Sequence, residues 1–360
     1  MFLTLCFTTL VLLLVTLLPL WHNPHWIVRG MDFPRLQFAV VAAILLLTQL
    51  IFLDLKNAST WALSIPTLLC LAWQIWWIAP YTCLWPREVQ ATKESRSNRN
   101  ISIMTANLLA SNRNSEVLLA LARLRKPDIL VTLESDQWWQ DQLDSLQSEM
   151  PYAIKCPLDN LYGMHVYSRL PLDEPEIKFL VENNIPSMHT LARLRTGEGV
   201  RIHFLHPAPP SPTENTKSTE RDAELLIIAR SITESDRPVI VTGDLNDVAW
   251  SATTRLFRKI SGLLDPRVGR GMFNTFHADY PFLRWPLDHI FHSQHFTLRS
   301  IERLPSIGSD HFPLFTVLSY TPKEGATQVG LEADNTDRLW AQSIIEEQNA
   351  DQGDVPRPGE

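Results

Sequence analysis

The chain has 360 residues, 45% of them hydrophobic and 20% charged, with 25 Pro, 12 Trp, 4 Cys and a formal net charge of −7. That apolar fraction excludes disorder throughout, four cysteines in so long a chain exclude a disulfide scaffold, and the acidic balance excludes a nucleic-acid binder held by charge alone. The length suffices for one large or two ordinary domains, each with a core of its own.

The charges are unevenly placed, because residues 1–80 hold only Arg29, Asp32, Arg35, Asp54 and Lys56. Three uncharged apolar runs, 2–20, 37–53 and 61–78, each have the length at which an α-helix crosses about 30 Å of hydrocarbon with its backbone hydrogen bonds satisfied. The first run lacks the basic start and the small-residue cleavage site of a secretory signal peptide, which predicts a retained helix. Trp21, Trp26, Trp61, Trp76, Trp77 and Trp85 gather near the ends of the runs, as in an aromatic belt. Residues 1–80 are therefore expected to form a membrane anchor of three transmembrane helices. Three crossings leave the first loop and everything after the third helix on one side. That side carries Arg29, Arg35, Arg87, Lys93, Arg96 and Arg99, with Glu88 and Glu94 interspersed, against Lys56 on the other. The positive-inside rule then expects the C-terminal part in the cytoplasm.

Residues 81–100 read as a polar linker. From Ile101 short apolar runs alternate with amphipathic stretches: strands are expected at 101–106, 128–133, 164–167, 200–205, 239–242, 287–291 and 312–318, and helices at 115–125, 136–149 and 219–235. This order predicts an α/β domain over 101–320. The stretch PAPPSPTENTK (207–217) is a surface loop by composition. Residues 321–360, with nine acidic and three basic side chains and little apolar periodicity, are expected to be a mostly disordered acidic tail. The anchor carries +1 and the tail −6, so the middle of the chain carries only −2.

Polar residues fall at the strand ends. Asn107 follows ISIMTA, Glu134 follows ILVTL, His206 follows VRIHFL, Asp244 and Asn246 follow PVIVTG, Asp288 lies in PLDHIF, and Asp310 and His311 precede FPLFTVL. Taken singly, each reads as a turn residue, a solvated charge or a satisfied histidine. Strand ends at one edge of a sheet converge in space, however, and α/β folds place their sites there. Oxygen ligands without cysteine favour a hard divalent ion, Mg2+ or Mn2+, which can polarise a phosphoryl oxygen and stabilise a leaving alkoxide. An Asp beside a His, with a second carboxylate to orient the imidazole, adds proton transfer or charge stabilisation. The set reads as metal-assisted phosphoester hydrolysis.

The ordered series TANLLASN, DILVTLE, GMHVYSRLPL, HFLHPAPP, VIVTGDLND, RWPLDHIF and GSDHFPLF resembles the endonuclease/exonuclease/phosphatase superfamily of deoxyribonuclease I-like enzymes, here as a membrane-anchored, bacterial-type member of an inner or plasma membrane. The resemblance implies a four-layer α/β sandwich, two central β-sheets flanked by helices, with a catalytic site at one rim. Carried over by motif, Glu134 is the principal metal ligand, with Asn107 beside it and Asp310 as a second carboxylate on the metal side. His206 contacts or protonates the phosphate, Asp244 orients or activates the attacking water, and Asn246 holds a phosphate oxygen. His311 is the general base or transition-state stabiliser, oriented by Asp288. Arg169 is expected to be structural, and His165, His189, His203, His277, His289, His292 and His295 to be strand or loop residues. Leu133 stands where many members have Gln, and no basic or aromatic insertion loop of the DNA-binding nucleases is evident. Trp138 and Trp139 could touch a lipid, stack on a base or pack on the domain. The expected activity is hydrolysis of a phosphate ester, with a lipid-linked phosphate as substrate of choice, nuclease action on nucleic acid as the alternative, and a catalytically dead membrane interaction module as the remaining one.

Overall fold

The computed structural model describes residues 1–93, 97–234 and 236–360. Glu94 and Arg96, counted above in the charge of the linker, and Ser235, the expected end of a helix, lie outside the described residues.

In the N-terminal part, α1 (Phe2–Leu17), α3 (Arg35–Phe52) and α4 (Ala58–Ile78) follow the three apolar runs, with the short α2 (Trp26–Gly30) between the first two. Extended by their terminal turns, Phe2–Trp21, Arg35–Phe52 and Ala58–Tyr81 are each long and apolar enough to cross a membrane. They meet through Leu5, Leu12, Ala42, Leu45 and Cys70. Their polar side chains pair with one another: Gln49 Nε2 donates to Thr9 Oγ1 (2.9 Å) and Thr67 Oγ1 (3.1 Å), and Gln74 Nε2 to Thr16 Oγ1 (3.1 Å). Such pairing is what a polar group on an apolar helix requires where no water can reach it. The opposite faces, with Leu3, Leu14, Ile44, Leu47, Ile51 and Leu69, are left uncovered by protein.

The remainder is a four-layer α/β sandwich. One sheet has six strands in the order β10 (Phe296–Arg303), β11 (Leu314–Tyr320), β1 (Asn100–Asn107), β2 (Ile129–Leu133), β4 (Met164–Ser168) and β3 (Tyr152–Cys156). The other has five: β5 (Leu172–Lys178), β6 (Ser187–Arg193), β7 (Gly199–Leu205), β8 (Val239–Asp244) and β9 (Asp288–His292). The pairs β1·β2 and β7·β8 are parallel, and the other neighbours are antiparallel. Ile101, Ile103, Ile129, Val131 and Val166 of the first sheet face Val200, Ile202, Phe204, Ile240 and Ile290 of the second. On the outer face of the first sheet, Met104, Leu130 and Tyr167 pack on α5 (Ser115–Arg125) and α6 (Gln137–Leu143) through Leu118, Ala122, Trp139 and Leu143. The outer face of the second is covered by α7 (Thr219–Thr233) and α8 (Ala252–Ser261).

The expected strands are present, with ends shifted by one or two residues, and four more join them. β5 (LDEPEIK) is a polar edge strand interrupted by proline, and β6 (SMHTLAR) buries Ser187, His189 and Thr190. Neither shows the alternation that marks a strand in sequence. β3 and β10 lie at the two edges of their sheet, with several exposed positions that blur the pattern in the same way.

The expectation of a disordered tail is corrected. After the one-turn α9 (Pro322–Gly325), α10 (Asn335–Glu347) places Ala341, Ile344 and Ile345 against the α7 side of the core, and Val355 is buried beyond it. Its acidic start is a capping box, in which Asp334 and Asp337 each accept from the other's backbone N–H. Acidity there satisfies a helix terminus, and the apolar spacing of three and four residues supplies the buried face. The linker is also tied down. Val89 is fully buried, and the Glu88 carboxylate accepts from Arg258 Nη2 (2.5 Å) and from the backbone N–H of Asp265 (2.8 Å).

Candidate active site

The alternation that fills the core also builds the site. On β1 the side chains facing the second sheet run Ile101, Ile103, Thr105, Asn107; on β8 those facing back run Ile240, Thr242, Asp244. Apolar side chains close the middle of the sandwich, the two threonine hydroxyls meet across it at 3.0 Å, and one step further Asn107 Nδ2 donates to Asp244 Oδ2 at 3.1 Å. β7 delivers His206 one step past Phe204, and β9, running the other way, begins at Asp288 opposite Asp244. The rim is polar because the inward phases of β1, β7, β8 and β9 reach it on Asn107, His206, Asp244 and Asp288, while Glu134 directly follows Leu133, the last inward residue of β2, at a positive φ.

Gly243 makes room for this on β8. Its φ is +149°, and a Cβ there would stand 1.8 Å from the carbonyl oxygen of Leu205 on β7. Glu134 and Asn246, neither a glycine, hold φ of +55° and +52°, conformations that cost energy and are retained where surrounding contacts fix them. The contacts are visible. Glu134 accepts from Asn107 Nδ2 (2.9 Å) and the Ala110 N–H (3.1 Å). Asn246 donates from Nδ2 to the Pro207 carbonyl (3.0 Å), and its own carbonyl accepts from Arg221 Nη1 (2.6 Å).

His311 Nδ1 lies 2.8 Å from Asp288 Oδ2, and its Nε2 lies 3.5 Å from Asp244 Oδ2, so the buried imidazole sits between two carboxylates. Burial opposes its charge, but Asp288 and Asp244 outweigh it and raise its pKa to about 10. At neutral pH the ring is an imidazolium. His206 goes the other way: burial lowers it to about 4, with Asp244 opposing. Its ring is neutral, and its buried Nδ1 has no hydrogen-bond partner among the described residues. Glu134 is raised above the usual carboxylate range by burial, and Asp310 nearby adds to this while the bonds from Asn107 and Ala110 oppose it.

These groups surround a cavity of about 280 Å³. Asn107, Glu134, His206, Asp244, Asn246, Asp310 and His311 line it, and Asp288 stands behind His311. All eight residues singled out at the strand ends are thus at one rim. Arg169 is elsewhere, bonding the Pro127 carbonyl (3.1 Å) and Glu149 (3.1 Å). His165, His189, His203, His289 and His292 are buried within the sheets. Trp139 is fully buried against α5 and the first sheet, and Trp138 packs at its side with Arg113 over its ring, so the pair is domain packing.

Other wall residues carry no sequence signal. Tyr162, whose hydroxyl donates to Glu214, and Phe276, 4.9 Å from the His311 ring, come from loops. Phe33 comes from the segment between the first two long helices. That segment is docked on the sandwich: Trp250 Nε1 donates to the Asp32 carbonyl (2.8 Å), Arg29 faces Asp222 (3.5 Å), the Trp26 N–H donates to the Thr216 carbonyl (3.0 Å), and Ala39, Ile78 and Tyr81 pack on Val248, Trp250, Val268 and Leu287.

Residues 104–311 match the family model described as the Endonuclease/Exonuclease/phosphatase family. This chain belongs to that family. Its members are metal-dependent hydrolases of phosphoester bonds, and the chain is an enzyme of this class. Among solved structures it is similar to the human Nocturnin catalytic domain with bound sulfate anion, at 20% identity over 62% of this chain and 95% of that one, with a TM-score of 0.52. It is also similar to D. rerio TDP2 complexed with single strand DNA product, at 17% identity over 61% and 99% with a TM-score of 0.50, and to an endonuclease/exonuclease/phosphatase from Beutenbergia cavernae, at 15% over 62% and 72% with 0.50. At these identities the likeness is one of fold. No curated protein sequence matches the chain.

Asp244, Asp288 and His311 also present ligand atoms within 4.8 Å of one another. Nδ1 of His311 faces Asp288 and its Nε2 faces Asp244. Glu134 and Asp310, two carboxylates lining the same cavity, are also of the donor type that suits a hard divalent ion. The charge around the cavity fits one too: Glu134, Glu214, Asp244 and Asp310 line it, and no Lys or Arg among the described residues does.

Proposed function

We propose that this enzyme is a membrane-anchored phosphoesterase that hydrolyses a phosphate ester carried by a lipid of its own bilayer. The observation that carries this reading is Phe33: a residue of the anchor lines the same cavity as Asn107, Glu134, Asp244 and His311. A molecule in that cavity touches the anchor, and a substrate confined to the same bilayer is presented at raised effective concentration. Phe33, Leu161, Pro209, Pro210, Phe276 and Leu287 give the cavity an apolar side, while its lack of Lys and Arg leaves a nucleic-acid strand little to hold it.

In this reading Glu134 and Asp310, with Asn107 beside them, hold Mg2+ or Mn2+. When bound, the ion supplies a Lewis acid for the phosphoryl oxygen and for the leaving alkoxide. Asp244 takes a proton from the water as its oxygen attacks phosphorus in line with the scissile bond, and the leaving alkoxide departs as the alcohol with a proton from bulk water. His311, kept as an imidazolium by Asp288 and Asp244, donates to the phosphoryl oxygens as their charge grows; with its pKa so high it serves as stabiliser, not as base. Neutral His206 and the Asn246 amide donate hydrogen bonds that orient the phosphate.

The catalytic part is assigned to the cytoplasmic face, on the basic residues that precede and follow the anchor helices on its side. Reporter fusions after Trp85 test this; activity confined to the outside would reverse it. For the chemistry, Glu134→Ala, Asp310→Ala and His311→Ala should each abolish Mg2+- or Mn2+-dependent hydrolysis of a generic phosphodiester. Unchanged rates in all three would overturn the site.

A further inference from the structure

Among the described residues of 101–320, Phe282 is the most exposed large apolar side chain at 88%, and Tyr280 (57%) and Leu283 (47%) stand beside it. Water alone gives no reason for three such side chains at one loop tip. The loop is nevertheless firmly built. The Leu283 N–H donates to the Tyr280 carbonyl (3.0 Å), Arg284 clasps the carbonyls of His277 (3.2 Å) and Ala278 (2.7 Å), and the Ala278 N–H donates to the Asp310 carbonyl (2.6 Å). Its tip is tied to the anchor, since Gln37 Nε2 donates to the Phe282 carbonyl at 2.8 Å. Gln37 lies in the first turn of α3, so at 1.5 Å of rise per residue the tip stands about one turn from the end of an apolar helix whose next outward residues are Val40 and Val41. That is the depth of the boundary between headgroups and acyl chains, where Tyr, Phe and the stem of Arg284 are favoured.

We propose that residues 280–283 form a lip seated in the headgroup layer of the bilayer that the anchor crosses, and that this lip holds the mouth of the cavity against the membrane. The occupant of the apolar tip is lipid, because the anchor contact fixes the tip at that depth. The inner side of the same loop reaches the site through Phe276 on His311 and Ala278 on Asp310. The inference rests on the membrane-anchored reading above and adds to it a path by which a headgroup phosphate enters without leaving the bilayer surface.

The test uses the full chain in phosphatidylcholine–phosphatidylglycerol vesicles, with Cys6, Cys70, Cys83 and Cys156 replaced by Ser and an environment-sensitive fluorophore on Phe282→Cys. Lipid-borne nitroxide should quench this probe while aqueous iodide does not, and a probe on Leu124→Cys of α5 should show the reverse. Quenching from water alone would overturn the lip, and so would shielding from both quenchers, which would mean that protein covers the tip. In the native-cysteine chain, the double variant Phe282→Ser, Leu283→Ser should raise KM for a bilayer phosphoester by about tenfold, with kcat and hydrolysis of a soluble aryl phosphodiester unchanged; equal losses on both substrates would mark the loop as merely structural and overturn its membrane role. Lipid quenching in a chain that hydrolyses nothing would support the lip while faulting the reaction assigned to the site.

Discussion

His311 and Glu224 show at the residue scale how burial and neighbours set charge. His311 is held protonated by two carboxylates, so removing the one that does not line the cavity separates its roles: Asp288→Asn should leave the fold intact, lower kcat by about 10²–10⁴-fold, and bring the alkaline limb of the rate profile down toward neutral pH. A variant with the parent profile would contradict the imidazolium assignment. Glu224 is buried on α7 with an oxygen that has no hydrogen-bond partner among the described residues, and burial, with Glu182 adding to it, pushes its pKa up to about 8. A carboxyl that binds its proton more tightly folded than unfolded makes stability fall as pH rises from its ordinary value of 4.5 to about 8, at most about 1.4 kcal/mol per pH unit. Glu224→Gln should remove that slope, so its advantage over the parent grows across this window and is level above it. Chemical denaturation at several pH values in detergent checks it, and parallel curves would contradict it.

At the scale of elements, the site was legible where alternation was clean. β1, β2, β7, β8 and β9 carry apolar side chains in their inward phase, and Asn107, Glu134, His206, Asp244 and Asp288 stand at or just past their rim-side ends, so the rim is readable from the strand ends. Where buried positions are polar, as on β6, or an edge strand has many positions only half-buried or exposed, as β3, β5 and β10 do, the pattern fails, because burial there is settled by neighbours distant in sequence. The acidic C-terminal segment misled for a related reason: its charge marks a helix cap, and the buried apolar residues of α10 are meaningful only beside α7. Ile344→Asp should therefore destabilise the domain by about 2–5 kcal/mol, read as a fall in Tm, where a disordered tail would show no change. Gly243→Ala tests the strand that presents Asp244. With no space beside Leu205, it should cost about 1–3 kcal/mol and lower kcat more than it raises KM; a neutral result would mean that the strand can shift without moving the carboxylate.

For the whole molecule, the feature hidden from the sequence is that the three long apolar N-terminal helices and the catalytic domain are one packed body. The division into an anchor, a linker, a catalytic domain and a tail followed composition, and composition cannot show that Trp250 bonds the Asp32 carbonyl or that Phe33 walls the cavity. Arg29 and Arg35, read as orientation signals, are also buried partners of Asp222 and Asp32. A fragment beginning near residue 101 should consequently have a lower Tm than the full chain in detergent, since it uncovers Val248, Trp250, Val268 and Leu287; equal Tm would contradict the docking. The central claim, a metal-dependent phosphoesterase facing its own membrane, is tested most directly by giving the full chain in vesicles, with Mg2+ or Mn2+, a choice between a lipid-linked phosphoester in the same bilayer and single- or double-stranded DNA in solution. Hydrolysis of the lipid-linked ester should be the faster and should be lost on chelation of the metal; faster cleavage of DNA would overturn the lipid-facing phosphoesterase.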